Sequence, residues 1–454
     1  MTSVTHWSHY EKNAAIALEL ATLGYPVTFM TGGLLQEDVS NLHPNIKFSA
    51  MLGPDAGLRE EDIQTWLSLP AGRDRELFIE KKIFIDTLPD GQESEQVQFR
   101  QFRKRYGNKK PLIFLHDQAA TGHYPVLLGG PGIRPDASVG ISLSPLSFDS
   151  NDTFPFRLEG VPRTGPDAKE VHRKAYQAYY EDKYVKELNE YWWAQLRNMG
   201  VARDTIPPML HAMNSLSDYL VTLGIPQFEF PRSDLRPNVL FCGALKKVGK
   251  MGAKEPELPP WWNDIAQAKK EGKKIIAVSQ GTAETNLEHL VLPTLEALKD
   301  REDVLVIATF VVAEPEDIPN LVVPGNVRVA KFVPYDQLLP LVDVLVSNGG
   351  YGAVLHALRL GIPMVVAGMG QEKETTNSII EWSGVGINLK VRDPGTERLA
   401  AAVATVLEDP AYNTKVKELS REFDKYDVGQ VFDEVIQEIV QNWKNRALPF
   451  RQEL

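Results

Sequence analysis

Short apolar runs alternate with amphipathic stretches along the 454-residue chain, the pattern of an α/β protein whose buried parallel strands are joined through helices. Residues 1–7 are barely long enough for a first strand. Ala14, Ala15, Leu18 and Ala21 then recur at helical spacing, Gly24 ends the helix, and residues 26–31 are the next strand. Residues 111–115 are a buried strand ending at His116-Asp117, 138–146 leads toward another, and 234–243 holds the last strand of this half. The charged, Gln-rich stretch 89–108 predicts a solvated helix or a mobile loop. Residues 168–200 predict helix crowded with Tyr and Trp, and aromatics at helical spacing more often pack a core than line a ligand surface.

A Lys-, Gly- and Pro-rich stretch, 246–260, interrupts the alternation as an interdomain linker does. Strands follow at 274–279, 304–309 and 327–332, and helical segments finish the chain after Asp409-Pro410. The predicted organisation is a first domain over 1–245, a linker over 246–262, a second domain over 263–430 and a terminal helix within 431–454.

The densest cluster of signals lies at 342–386. Residues 342–347 are a short apolar run that ends in Asn348-Gly349-Gly350-Tyr351-Gly352; Ala353, Val354, Leu355, Ala357, Leu358 and Leu360 give a helix its apolar side, Gly361 stops it, and 362–367 is another strand. Glycines at a strand-to-helix junction let the backbone approach a ligand closely, and the unpaired N–H groups of the first helical turn point into the same space. The helix end carries roughly half a positive charge, so the spot suits a diphosphate without a metal ion. An isolated glycine cluster would be only a tight turn; its surroundings argue for more.

Composition narrows the field. Lys+Arg 49 against Asp+Glu 60 gives a net charge of -11 with no dense basic run, which argues against nucleic acid as a partner. The single cysteine, Cys242, lies in an apolar run and predicts a small buried group in a reducing compartment. No stretch is long and apolar enough for a membrane span, and the first residues lack the apolar core of a signal peptide. A cytoplasmic protein without stable membrane insertion is expected. There is no GxGxxG after the first strand, no Cys/His metal spacing, no GxSxG elbow and no P-loop.

The 342–386 block resembles the donor-site signature of the UDP-glycosyltransferases, the family 1 enzymes of the GT-B fold, and is similar to soluble fungal and bacterial members. In that family a strand runs into His-Gly-Gly-x-Gly-Thr or a variant of it, then a helix, Gly-x-Pro-Met, a strand, an Asp-Gln or Glu-Gln pair and a last helix ending near Gly-x-Gly. The frame is kept here without a gap. By resemblance, Asn348 stands where the family has the His that touches the α-phosphate, Gly350, Tyr351, Gly352 and Ala353 match the diphosphate cradle, Gly361-Ile362-Pro363-Met364 matches Gly-x-Pro-Met, and Glu372-Lys373 falls on the pair that reads the sugar hydroxyls. His356 takes the place of a frequent ribose-binding Glu, and Lys373 that of a Gln. Thr282, in the Gly-Thr after the strand 274–279, is the implied phosphate-binding hydroxyl, and Phe332-Val333 occupies the uracil-stacking position, although a Phe before Pro is on its own more often a core residue.

The start of the chain resembles the same family: residues 8–29 align without gaps on GHxxPxxxLAxxLxxxGHxVTF, which puts His9 on the catalytic histidine, with Ser8, Lys12 and Tyr25 replacing a Gly, the Pro and the second His. Asp117 corresponds by order to that histidine's acidic partner. His6, three residues upstream of His9, is the alternative base should the register be offset. The resemblance implies an α/β protein of GT-B fold, two Rossmann-like β/α/β domains facing each other across a cleft, the first binding acceptor, the second binding nucleotide sugar, with the helix at 432–443 crossing back to the first. It implies an inverting hexosyltransferase that moves sugar from a UDP-sugar to a hydroxyl of a small apolar acceptor such as a lipid, sterol, phenol or secondary metabolite, with no metal cofactor. A second reading is a GT-B protein that binds nucleotide sugar or acceptor without turnover, for which Asn348, His356 and Lys373 speak; the presence of both His9 and Asp117 favours the enzyme.

Overall fold

The computed structural model describes residues 1–53, 58–70, 72–245, 257–281, 284–311 and 313–445. Most of the expected linker, 246–256, lies outside these. Two all-parallel sheets carry the architecture. The first contains β1 (Val27–Thr31), β2 (Ile46–Ala50), β3 (Ile113–Asp117), β4 (Ala137–Ser142), β5 (Tyr219–Thr222) and β6 (Val239–Phe241). The expected first strand is only a stub: Thr2 bridges Met30 on one side and His116 on the other, joining β1 to β3. Its N–H donates to Leu115 O at 3.0 Å and its carbonyl accepts from Asp117 N–H at 3.1 Å. The order is therefore β2-β1-Thr2-β3-β4-β5-β6.

The second sheet contains β7 (Lys274–Ser279), β8 (Val304–Thr309), β9 (Val327–Ala330), β10 (Val344–Ser347), β11 (Met364–Val366) and β12 (Gly386–Asn388), in the order β12-β11-β10-β7-β8-β9. Counted from β7 this is the 3-2-1-4-5-6 order of doubly wound folds, in which ligands bind where the order reverses, beyond the carboxyl ends of the strands. Here the reversal lies between β7 and β10. In the first sheet it lies between the Thr2 stub and β3. Strands β4, β5, β8, β10 and β11 are buried along their whole length, as parallel strands covered on both faces must be.

Of the stripe read from the sequence, helix α1 (Trp7–Thr22) buries Ala14, Ala15 and Ala21 and leaves Leu18 half-buried; Tyr10, Ile16, Ala17 and Leu20 complete its inner face. Helix α2 (Leu88–Tyr106) settles the charged stretch as a helix, but one whose inner face is buried through Leu88, Gly91, Ser94, Glu95, Gln96 and Phe99; Phe99 meets Phe114 of β3 edge-on at 5.1 Å. The aromatic region divides into α3 (Ala168–Glu181) and α4 (Lys183–Asn198), parted at Asp182, whose carboxylate accepts the Tyr184 and Val185 N–H groups at 3.0 and 3.2 Å. Trp192 is fully buried with Leu188, Leu196 and Tyr124, so on α4 the aromatic pattern is core packing.

The glycine-rich block folds as read. β10 ends at the loop, α5 (Tyr351–Arg359) follows, then β11 and α6 (Lys373–Ser383), which stops at Gly384 in the left-handed conformation. The terminal helix α7 (Val428–Lys444) buries Val428, Phe432, Val435, Ile436 and Ile439 and packs on α1. Tyr25 donates its hydroxyl to Asp433 at 2.5 Å, and Tyr219 donates to Glu438 at 2.8 Å. Arg157 and Gly160 donate backbone N–H groups to Thr375 and Ser378 of α6, at 2.9 and 3.0 Å. The first sheet unit thus meets the second half of the chain at both α6 and α7.

Candidate active site

His9 sits on the third position of α1, just beyond the sheet end where Thr2 and β3 part. Its Nδ1 lies 2.8 Å from Asp117 Oδ2. An ionised carboxylate only accepts, so Nδ1–H is the donor, and Nε2 carries the one lone pair of the neutral ring. Asp117 is completely buried, whereas the His9 side chain is 28 % exposed. Asp117 also accepts from Asn13 Nδ2 at 3.1 Å and from the Ala119 N–H at 2.9 Å.

Burial disfavours charge on His9, but the Asp117 carboxylate, by its charge and its hydrogen bond, outweighs this and lifts the imidazole above the ordinary histidine value; Lys12 opposes the lift and Glu372 adds to it. Burial likewise pushes Asp117 up, and the charge and hydrogen bond of His9 bring it down to a net depression. The neighbouring His116 is a different case. It is buried, bonded through Nε2 to Ser217 Oγ at 2.8 Å, and burial pushes it down to about 4. His6 contributes its carbonyl to the N–H groups of His9 and Tyr10, both at 2.9 Å. Of these three histidines, His9 alone contacts the Asp117 carboxylate; His116 Nδ1 reaches only the Asp117 backbone carbonyl, at 3.4 Å.

Across from α1 lies the start of α5. Gly349 has φ +88°, and a Cβ there would meet Asn377 Oδ1 at 1.8 Å, so both conformation and space demand glycine. Gly350 is the N-cap. Its N–H reaches Asn348 Oδ1 at 3.3 Å, and the Tyr351 N–H reaches Glu372 Oε1 at 3.3 Å. A carboxylate thus rests on the first turn of α5, where an anion is favoured. The Asn348 amide donates to the Gln280 carbonyl at the ends of β10 and β7, which uses one of its two N–H donors. Gly352 lies against Lys12 of α1: a Cβ at Gly352 would be 2.8 Å from Lys12 Cε and 3.2 Å from Nζ.

The other expected donor-site residues are distributed around this turn. Ala353 is half-buried in the first turn of α5. Tyr351 turns its ring away; it is buried and donates its hydroxyl to Leu223 O at 3.0 Å, bracing the two sheet units, and only its N–H serves the loop. His356 Nε2 lies 3.7 Å from Asp336 Oδ1. Lys373 is buried, with Nζ donating to Gln371 Oε1 at 2.7 Å, and lines a small hollow with Gln280, Asn348, Gly368 and Arg392. Phe332 is 67 % exposed beside an open groove at the β9 edge, so it is no core residue; Val333 next to it is buried. Thr282 lies outside the described residues.

Sequence reading gave Lys12 no role beyond replacing a proline and passed over Asn13 and Gln280. For Asn13 a signal existed: a polar residue one turn after His9 on the apolar face of α1. Gln280 acts through its backbone carbonyl, which no residue pattern reveals.

Similarity to known proteins follows the same lines. Residues 294–440 match the model described as "Erythromycin biosynthesis protein CIII-like, C-terminal domain". UDP-glycosyltransferase 2 of Phaeomoniella chlamydospora is 34% identical over 97% of this chain and 95% of its own length. UDP-glucosyltransferase avaP of Aspergillus versicolor is 33% identical over 93% of each. Among solved structures, the glycotransferase of kitacinnamycin superposes with a TM-score of 0.66 at 19% identity, covering 97% of this chain and 98% of that one. Glycosyltransferase VinC in complex with DTDP gives 0.62 at 16%, covering 97% and 99%.

Proposed function

The chain belongs to the UDP-glycosyltransferases, enzymes of GT-B fold that move sugar from a nucleotide donor, and from that premise we propose that it transfers the sugar of a UDP-sugar, with inversion, to a hydroxyl of a small apolar acceptor. One observation carries the reading. His9 and Lys12 lie one turn apart on α1, and Lys12 touches Gly352, so the base and the first turn of α5 line the same cleft. Each stands at the point where the strand order of its sheet reverses.

In the proposed reaction the acceptor oxygen attacks the anomeric carbon from the face opposite the diphosphate. Its proton passes to His9 Nε2 as the new carbon–oxygen bond forms. The bond to the β-phosphate oxygen breaks, and UDP leaves with the electron pair. Asp117 holds the ring in the tautomer that frees Nε2 and stabilises the imidazolium. The departing diphosphate is stabilised by the N–H groups and dipole of the first α5 turn, displacing or redirecting Glu372. That supply of positive potential makes a metal unnecessary in this scheme. Trp7, exposed at the start of α1 two residues before His9, supports an apolar acceptor.

The test is acceptor-dependent UDP release from a panel of UDP-sugars, UDP-glucose first, with mixed phenolic and lipid acceptors, and NMR of the product anomer. A β-glycoside from an α-linked donor is expected. An α-glycoside overturns inversion, and UDP binding with no release for any acceptor would favour a protein that binds without turnover.

A further inference from the structure

The first turn of α5 receives a diphosphate in the reading above, yet Asn348, Gly349, Gly350, Tyr351, Gly352, Ala353 and Val354 carry no charged side chain. A helix end offers roughly half a positive charge, which leaves a place for a side-chain cation beside the diphosphate. The Asn348 amide is uncharged and gives one N–H to the Gln280 carbonyl, and the Lys373 ammonium is bonded to Gln371 in the hollow shared with Arg392. A cation does reach this turn, from the other half of the molecule.

Lys12 comes off α1 and lays its side chain over Gly352, so close that any residue other than glycine at 352 would meet its Cε at 2.8 Å. Its ammonium donates to the Ser8 carbonyl and lies 3.4 Å from Glu11 Oε1, and the side chain is only 16% exposed. A lysine that wanted nothing but water would extend into it. This one is folded back along its own helix and pressed onto the α5 terminus, with Gly352 leaving it room. We infer that Lys12 is a donor-binding residue, a cation supplied by the first sheet unit to the diphosphate held by the second. The inference rests on the donor-site reading and deepens it: the nucleotide is gripped from both sides of the cleft, and its affinity depends on the two halves being docked.

The test is calorimetry on the full chain with UDP and uridine, for the native protein, Lys12→Met and Lys12→Arg, with melting temperatures measured alongside. Loss of a charge-assisted contact predicts that Lys12→Met weakens UDP roughly ten- to a hundredfold and leaves uridine unchanged, while Lys12→Arg keeps most of the UDP affinity. Added salt should weaken UDP binding to the native protein more than to Lys12→Met. Equal UDP affinity in Lys12→Met overturns the inference while leaving the donor site standing. Equal losses for UDP and uridine also overturn it, since they mark a distorted cleft. No UDP binding by the native protein would sink the donor-site reading itself.

Discussion

Asn13 donates its side-chain amide to Asp117 Oδ2 at 3.1 Å, the oxygen that also receives His9 Nδ1. One turn of α1 therefore supplies both the imidazole and the group that fixes the carboxylate against it. The Asn13 amide also reaches the His9 carbonyl at 3.0 Å, tying helix and carboxylate into one unit.

His9→Ala should lower transfer by about 10²–10⁴-fold while UDP affinity stays nearly unchanged, because the base acts on the acceptor. Asp117→Asn should be as damaging or milder, and the double variant no worse than His9→Ala, since the pair works as one device. Steady-state kinetics with UDP calorimetry checks this. Near-normal turnover in His9→Ala would remove the base assignment.

The pH profile follows from the direction of the His9 shift. The base must be neutral, so the rate should rise with pH through a midpoint above the usual histidine value of about 6.5. Asp117→Asn removes the charge that raises it and leaves the burial that lowers it, so the midpoint should fall. Stability runs the other way. The raised His9 contributes fully below its unfolded pKa and loses its contribution as pH rises through the folded one, while the depressed Asp117 contributes above its unfolded pKa and loses it as pH falls through the folded one. Both contributions are present between roughly pH 4 and 6.5. The charge pair should therefore stabilise most where transfer is slow, which pH-dependent melting of native protein and Asp117→Asn would show.

Tyr351→Phe removes a hydrogen bond across the two halves, while Thr222 Oγ1 still donates to Leu223 O at 3.2 Å. The expected cost is about 0.5–1.5 kcal/mol, read as a lower melting temperature, with UDP affinity nearly unchanged because the Tyr351 N–H remains. A large loss of UDP binding without loss of stability would place the hydroxyl at the ligand after all.

Transfer should persist in EDTA, because fixed N–H groups and the α5 terminus serve the departing diphosphate. Activity lost on chelation and restored by magnesium or manganese would reverse this view.

Local chemistry made much of the molecule legible in advance. The glycine loop, the α5 stripe and the strand runs around them obey rules of period, turn and helix end that act within a few residues, and so the 342–386 unit could be drawn from its letters. Alignment of the first helix likewise placed His9. Short and non-local features escaped: the Thr2 stub is a strand only because β1 and β3 flank it, and β5 has four residues, too few for a period to show. The buried face of α2 is polar as well as apolar, so its charge suggested solvent. Above all, the meeting of Asn13 with Asp117, of Tyr351 with Leu223 and of Lys12 with Gly352 joins residues 104, 128 and 340 positions apart. The first depends on how α1 packs against β3 and the other two on how the two sheet units dock, a matter of packing between surfaces, and no pattern along one segment encodes which residue will stand opposite.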